Sequence, residues 1–416
     1  MGNMEYIASE AVKTHRESME FLKQLVVDFV GRQCGTPQGR GAGNFLSESF
    51  KQLGIQTTRE SFSVPGYLQK TGYVSILAES TDGLQKEIFR CESQTLIYSP
   101  VSVSCGQLYV HSGETFLSSV VLKGKVVLSE ESIRSVKTGK DDIMAWIYIT
   151  PERTGGGLFI SSVTDRSADN FIGRIPACSV SWADGQAIKS VQKTYKGNLL
   201  VEVKTNADDY GIAQEGINII SEIPRGISGN CGTVSADTET NKDEYIIAGS
   251  HYDTFLNMPG ATDNAAGTAV LYGAAKILTR LASKIPFRRA IKFIAFDGEE
   301  LGLLGSSAYV ERHTNELELC RMMVNLDCTG KIGKKSLKIH AWDELLPDIS
   351  RMSAELPLIW GNVDSWYSYR SDHQSFWRQG IPTVYGYGGS HPLAFGQHTQ
   401  NDSLEKVIED GILVDT

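Results

Sequence analysis

Two histidines and a group of carboxylates recur along the second half of the chain at spacings that suit a pair of metal ions. His251 and Asp253 stand two residues apart in Ser-His-Tyr-Asp, and Asp263 follows in Pro-Gly-Ala-Thr-Asp-Asn. Glu299 and Glu300 are adjacent in Asp-Gly-Glu-Glu, Asp327 closes Asn-Leu-Asp, and His398 precedes Thr399 and Asp402. Imidazole nitrogen and carboxylate oxygen in this mix suit zinc, with cobalt or manganese as substitutes. His251 and Asp327 are assigned to one ion, Glu300 and His398 to the other, and Asp263 to the bridge between them. Glu299 is then free to act as general base, taking a proton from a bridging water or hydroxide and handing it to a leaving amine. Asp253 fixes the tautomer of His251. A plainer reading exists for single members, since Asp263 or Asp402 alone could cap a helix. It does not extend to Glu299 and Glu300, because adjacent acids just past a buried apolar run need a cation nearby.

Such residues need a scaffold that delivers distant loops to one rim. Apolar, β-rich runs at residues 217–223, 245–249, 290–296, 322–326 and 381–387 alternate with helical stretches, notably 265–282. The pattern predicts an α/β fold with a mostly parallel central sheet covered by helices on both faces. In that architecture ligands bind at the carboxyl ends of the strands. At the amino end, Met19, Leu22, Val26, Phe29 and Val30 recur at helical spacing, residues 31–41 are rich in glycine, and a second helix is expected over 44–53. Between about 65 and 210 the chain changes to short β-rich runs at 107–110, 125–128, 145–149 and 199–203. The expected organisation is a discontinuous catalytic domain, 1–64 with 211–416, around a mainly β insert, 65–210.

At 416 residues the chain exceeds what one hydrophobic core usually serves. Its formal charge of −9, with no dense basic run beyond residues 331–335, argues against nucleic acid or an anionic membrane as partner. No apolar run approaches the ~18 residues of a membrane span. The first residues carry no basic region followed by an apolar stretch, and the seven cysteines never form C-x-x-C. These features lead to an expectation of free thiols and a cytoplasmic location.

Taken in order, His-x-Asp at 251–253, Pro-Gly-Ala-x-Asp-Asn at 259–264, Gly-Glu-Glu at 298–300, Asn-Leu-Asp at 325–327, Ser-Asp-His at 371–373 and His-Thr-x-x-Asp at 398–402 resemble a known family. It is the co-catalytic zinc aminopeptidases of the aminopeptidase Y and glutamate carboxypeptidase superfamily. The resemblance covers 215–416 and the lead-in at 31–53. It implies the zinc-dependent exopeptidase fold, two zinc ions per chain and hydrolysis of amino-terminal residues from peptide substrates. Segments 98–100, 122–128 and 174–181 resemble the protease-associated insert of some members. Where some relatives place an oxyanion-stabilising tyrosine before the last metal histidine, this chain has Gln397, which leaves Tyr367 or Tyr369 as candidates.

Acidic residues near the metals suit a substrate amino terminus, whereas a carboxypeptidase needs a cation for the terminal carboxylate. Arg370 sustains that alternative and, beside it, a dipeptidase. A one-zinc glutaminyl cyclase-like acyltransferase and a receptor-like relative without catalysis are the readings from other classes. Among the remaining residues, His373 reads as structural, and His340, His313, His111 and His15 as surface or loop histidines. His391 is a candidate for lining the cleft, and Cys328 reads as a small buried residue.

Overall fold

The computed structural model describes residues 3–80, 83–111, 122–132, 143–161, 175–209, 213–226, 243–329, 337–355, 360–364, 370–388 and 396–409. They group into two compact units, one of Met1–Val64, Gln214–Pro392 and Asp402–Thr416, the other of Pro65–Ala213 and Leu393–Asn401. The return of 393–401 to the second unit departs from the expected division. It follows from backbone and side-chain bonds: Ile160 N–H donates to the carbonyl of His398 at 3.0 Å, and Asn401 Nδ2 to that of Thr154 at 3.2 Å.

Helices Asn3–Asp28 and Pro37–Gln52 open the first unit. The second begins well before Asn44, because its start is set by a cap rather than by apolar spacing. Thr36 Oγ1 accepts the N–H of Gly39 at 3.1 Å, and Pro37 occupies the first turn, where a missing N–H costs nothing. Strand β1 (Gln56–Val64) follows.

The second unit holds β2 (Tyr67–Glu79), β3 (Gln85–Thr95), β4 (Ser102–Val110), β5 (Lys125–Ser129), β6 (Ala145–Ile149), β7 (Ala177–Val180) and β8 (Asn198–Asp209). They close into a barrel in the order β2-β3-β7-β6-β5-β4-β8, which leaves no free edge. Alternate residues fill one core, among them Val74 and Ile76, Val126 and Leu128, Ile147 and Ile149, and Val201 and Val203. Helix Trp182–Thr194, capped by Ser181, adds Ile188 to that core.

The first unit resumes with β9 (Gln214–Ile223), β10 (Tyr245–His251), β11 (Ala290–Phe296), β12 (Cys320–Leu326), β13 (Leu337–Ala341), β14 (Trp360–Asp364) and β15 (Thr383–Gly388). With β1 they form one sheet in the order β1-β9-β11-β10-β12-β15-β13-β14. β11, β10, β12 and β15 run parallel at its centre, but β9 is antiparallel to both β1 and β11, and β13 to β15. The sheet is therefore mixed rather than mostly parallel throughout. Continuous apolar runs mark a strand as buried on both faces but carry no information on its direction, so Ile217–Ile220 reads like its parallel neighbours.

Helices cover both faces. On one side Phe21, Leu22, Leu25 and Val26 of the first helix and Leu46 of the second pack with Ile217, Ile219 and Ala295, and Phe293 packs with Phe50, Leu271 and Ala275. On the other side Ile294 and Phe296 meet Tyr309 of helix Leu304–Arg312 and Phe376 of helix His373–Trp377. β11 thus alternates its side chains between two cores, which locks its register. No helix among the described residues is long and apolar enough to cross a membrane. Truncating Phe293 to alanine leaves a cavity beneath helix Ala266–Ala282 and should cost about 3–5 kcal/mol in denaturant unfolding. A loss near zero would contradict this account of the core.

Candidate metal centre

Because β10, β11 and β12 are parallel, their carboxyl ends lie along one edge of the sheet, and each delivers part of the site there. β10 ends on His251, which is buried. Its Nδ1 lies 3.4 Å from Asp253 Oδ1, while Nε2 lies 3.2 Å from Asp263 Oδ1 and 3.3 Å from Asp327 Oδ1. β11 runs into Asp297-Gly-Glu299-Glu300, and Asp253 holds this turn as well: its two oxygens accept the N–H of Glu299 at 3.1 Å and of Glu300 at 3.3 Å. Asp327 follows β12 and donates its N–H to the carbonyl of Gly386 in β15 at 3.1 Å. A carboxylate oxygen of Asp263 also lies within 4.8 Å of one of Glu300, so Asp263 stands between the His251–Asp327 pair and Glu300.

Asp263 sits in an irregular turn, 261–265, ahead of helix Ala266–Ala282, and the peptide bond to Asn264 is cis. Two side chains pin this turn. Asp402 accepts the N–H of Thr262 at 2.8 Å and of Asp263 at 2.9 Å, one on each oxygen, and its carbonyl accepts that of Ala261 at 3.1 Å. Asn264 donates to the carbonyl of Leu326 at 2.9 Å and to Ser250 at 3.1 Å, while its Oδ1 accepts the N–H groups of Gly267 and Cys328, both at 3.1 Å. Asn264 therefore ties the Asp263 turn to the ends of β10 and β12. Arg32, from the lead-in, donates to the carbonyls of Tyr252, Pro259 and Gly260.

Asp253, Asp263, Glu299, Glu300 and Asp327 are all buried, and Arg32 is the buried lysine or arginine among the described residues. Burial, followed by the charges of Asp263 and Glu299, pushes the Glu300 carboxyl well above the usual carboxylate range. Burial opposes the charged form of His251, yet Asp327 and hydrogen bonds to Asp253 and Asp263 hold its imidazole well above the usual histidine range. Burial lowers the Arg32 guanidinium to about 10, with Asp402, Asp253, Asp263 and Glu300 opposing the shift, so it stays charged at neutral pH. Both the carboxyl and the imidazole shifts express a site short of positive charge. His251, Asp263 and Asp327 present donor atoms all within 4.8 Å of one another, a set that fits a divalent cation such as zinc.

His398 is described with the second unit, where its ring stacks on Phe159 at 5.4 Å between centroids. Tyr367, Tyr369 and His391 lie outside the described residues. Two other histidines differ from expectation in their burial. His111 and His340 are buried, the former 3.1 Å from Ser129 Oγ and the latter in β13 stacked on Tyr387. His313 lies in a turn, as expected, and pairs with Glu60 of β1 at 2.9 Å. His373 is buried and stacks on Tyr385, and Cys328 is half-buried. Arg32 and the tethering by Asn264 escaped the sequence reading. Arg32 lies 220 positions from Tyr252, and no local pattern marks it.

Residues 233–414 match the model of peptidase family M28. Aminopeptidase YwaD of Bacillus subtilis is 32% identical over 403 residues, which span 94% of this chain and 80% of that protein. The chain belongs to peptidase family M28. The fold agrees with solved members: a peptidase M28 precursor from Shewanella amazonensis superposes with a TM-score of 0.75 at 18% identity, over 98% of this chain and 94% of that one. BSAP, a zinc aminopeptidase from Bacillus subtilis, gives 0.65 at 22%, over 96% and 93%. In this M28 peptidase, Asp402→Asn replaces an acceptor oxygen with a donor and orphans one buried N–H. It should cost about 1–3 kcal/mol in unfolding of the zinc-free protein; an unchanged midpoint would show that the turn does not depend on Asp402.

Proposed function

We propose that the chain is a zinc aminopeptidase working with two ions, His251 and Asp327 holding one, Glu300 and His398 the other, and Asp263 bridging. The observation that carries the reading is the position of Asp263, with one oxygen 3.2 Å from His251 Nε2 and an oxygen within 4.8 Å of Glu300. A single carboxylate placed between two donor sets suits a bridge better than a cap. His398 is assigned from its place in the His-Thr-x-x-Asp pattern. The name of the relative aminopeptidase YwaD supports aminopeptidase activity. Bound zinc ions would supply Lewis-acid polarisation of the scissile carbonyl and acidification of a water.

The chain's own residues supply the rest. Glu299, fixed by its N–H to Asp253, accepts the water proton on its carboxylate and delivers it to the departing amine. Asp253 faces Nδ1 of His251 and so leaves Nε2 directed at Asp263 and Asp327. The acids at the rim favour a substrate ammonium, and burial around them strengthens that attraction. A carboxypeptidase would call on Arg370, which is exposed. A one-zinc cyclase would have no use for a second donor set, the one that His251 and Asp327 form with Asp263.

Elemental analysis combined with amino-terminal and carboxy-terminal reporter peptides tests the proposal. Two zinc ions per chain and release of amino-terminal residues that stops on chelation are expected. Cleavage from the carboxyl end, or a single zinc without peptide cleavage, would overturn it. Glu299→Gln should keep its zinc and lose at least ~10²-fold in kcat, whereas Asp263→Asn should lose metal. Near-normal turnover in the first variant removes Glu299 from the chemistry, and two retained ions in the second remove the bridge.

A further inference from the structure

Between His251 and the turn that bears Asp263, residues 252–260 form neither helix nor strand. A buried stretch of that kind has carbonyls and N–H groups that regular structure does not satisfy, and each needs a partner. Arg32 provides three at once. Its Nε donates to the carbonyl of Tyr252 at 2.6 Å, Nη1 to that of Pro259 at 2.6 Å and Nη2 to that of Gly260 at 2.7 Å. Tyr252 directly follows His251, and Gly260 lies three positions before Asp263. One rigid plane therefore spans the two ends of the loop that joins these residues.

Neighbours of Arg32 reinforce the contact. Gly31 N–H donates to the carbonyl of Met258 at 2.8 Å, Leu256 N–H to Gln33 Oε1 at 3.0 Å, and Thr254 N–H to the carbonyl of Arg32 at 3.4 Å. Gly31 has φ +69°, and a Cβ there would stand 2.5 Å from the backbone nitrogen of Asn257, so glycine alone permits the approach. The Arg32 side chain is fully buried. A guanidinium carries its donors in a fixed fork, which a lysine cannot imitate. Its charge is tolerated out of water because it faces the acids of the site.

We propose that Arg32 is a positioning residue for the metal centre, holding His251 and Asp263 at the separation that lets both reach one ion before any ion arrives. This consequence rests on the metal reading above, whereas the clamp itself concerns only the polypeptide. A preorganised ligand pair binds metal more tightly because the ordering cost is met by the fold.

The test uses the full chain with Arg32→Lys, which keeps the charge and loses the fork, and Arg32→Ala. In the metal-free protein, amide hydrogen exchange should quicken at least ~10-fold at Leu256, Thr262 and Asp263, as for loss of a buried hydrogen bond. Helix Ala266–Ala282 should exchange as in the wild type. Competition against a chromophoric chelator should show zinc bound about 10- to 100-fold more weakly. At saturating zinc, KM should be unchanged and kcat should recover to within about threefold. Millimolar guanidinium should restore part of the zinc affinity of Arg32→Ala. Wild-type exchange and zinc affinity in a folded variant would overturn the proposal. So would faster exchange spread equally over the helix, or failure of both variants to fold, because either outcome gives Arg32 a role in the fold at large. Should the wild-type chain bind no zinc, the metal reading falls, while exchange at 252–263 still decides the clamp.

Discussion

Ionised carboxylates are costly away from water unless a cation or hydrogen-bond donors face them, and this constraint organises the first unit. Asp253, Asp263, Glu299, Glu300 and Asp327 are buried together, with Arg32 and the imidazole of His251 as the opposing groups. The upward shifts of Glu300 and His251 both point to a shortage of positive charge there. A metal-binding site resolves it, since divalent ions supply more charge in less volume than any side chain. Without that resolution, hydrophobic residues of equal size would serve the fold better.

The sheet sets where this can happen. Parallel β10, β11 and β12 bring His251, the Glu299–Glu300 pair and Asp327 to one edge from segments scattered over about 80 residues of sequence. Strand ends alone leave each ligand on a loop with freedom to drift. Asn264 ties the Asp263 turn to β10 and β12, Asp402 holds it by two N–H groups, and Arg32 fastens both ends of the loop before it. Apart from the bond of Asn264 to the Ser250 hydroxyl, these fasteners grip backbone, which fixes ligands without consuming their metal-facing atoms.

Much of this was visible in the sequence because it is local. β6 (Ala145–Ile149) appears at its full extent as an uninterrupted apolar run and β11 (Ala290–Phe296) as one broken by Lys292, and the acids immediately after β11 announce a cation site. What stayed hidden depends on contacts between distant residues. Antiparallel β9 looks like a parallel strand because burial on both faces leaves the same composition. The burial of His340 and His111, read as surface or loop histidines, stayed hidden because nothing near them in sequence shows what covers them. Helix Pro37–Gln52 starts early because Thr36 and Pro37 outweigh the glycines within it. Arg32 joins carbonyls some 220 positions away, and only folding reveals that its fork matches them.

The central claim is that Asp263 is shared between two ions. The most direct measurement is anomalous diffraction at the zinc edge from crystals of the zinc-loaded protein. The account predicts two peaks about 3.5–4 Å apart, one bounded by His251 and Asp327, the other by Glu300 and His398, with an oxygen of Asp263 about 2.0–2.2 Å from each. A single peak, or two that do not share Asp263, would contradict it.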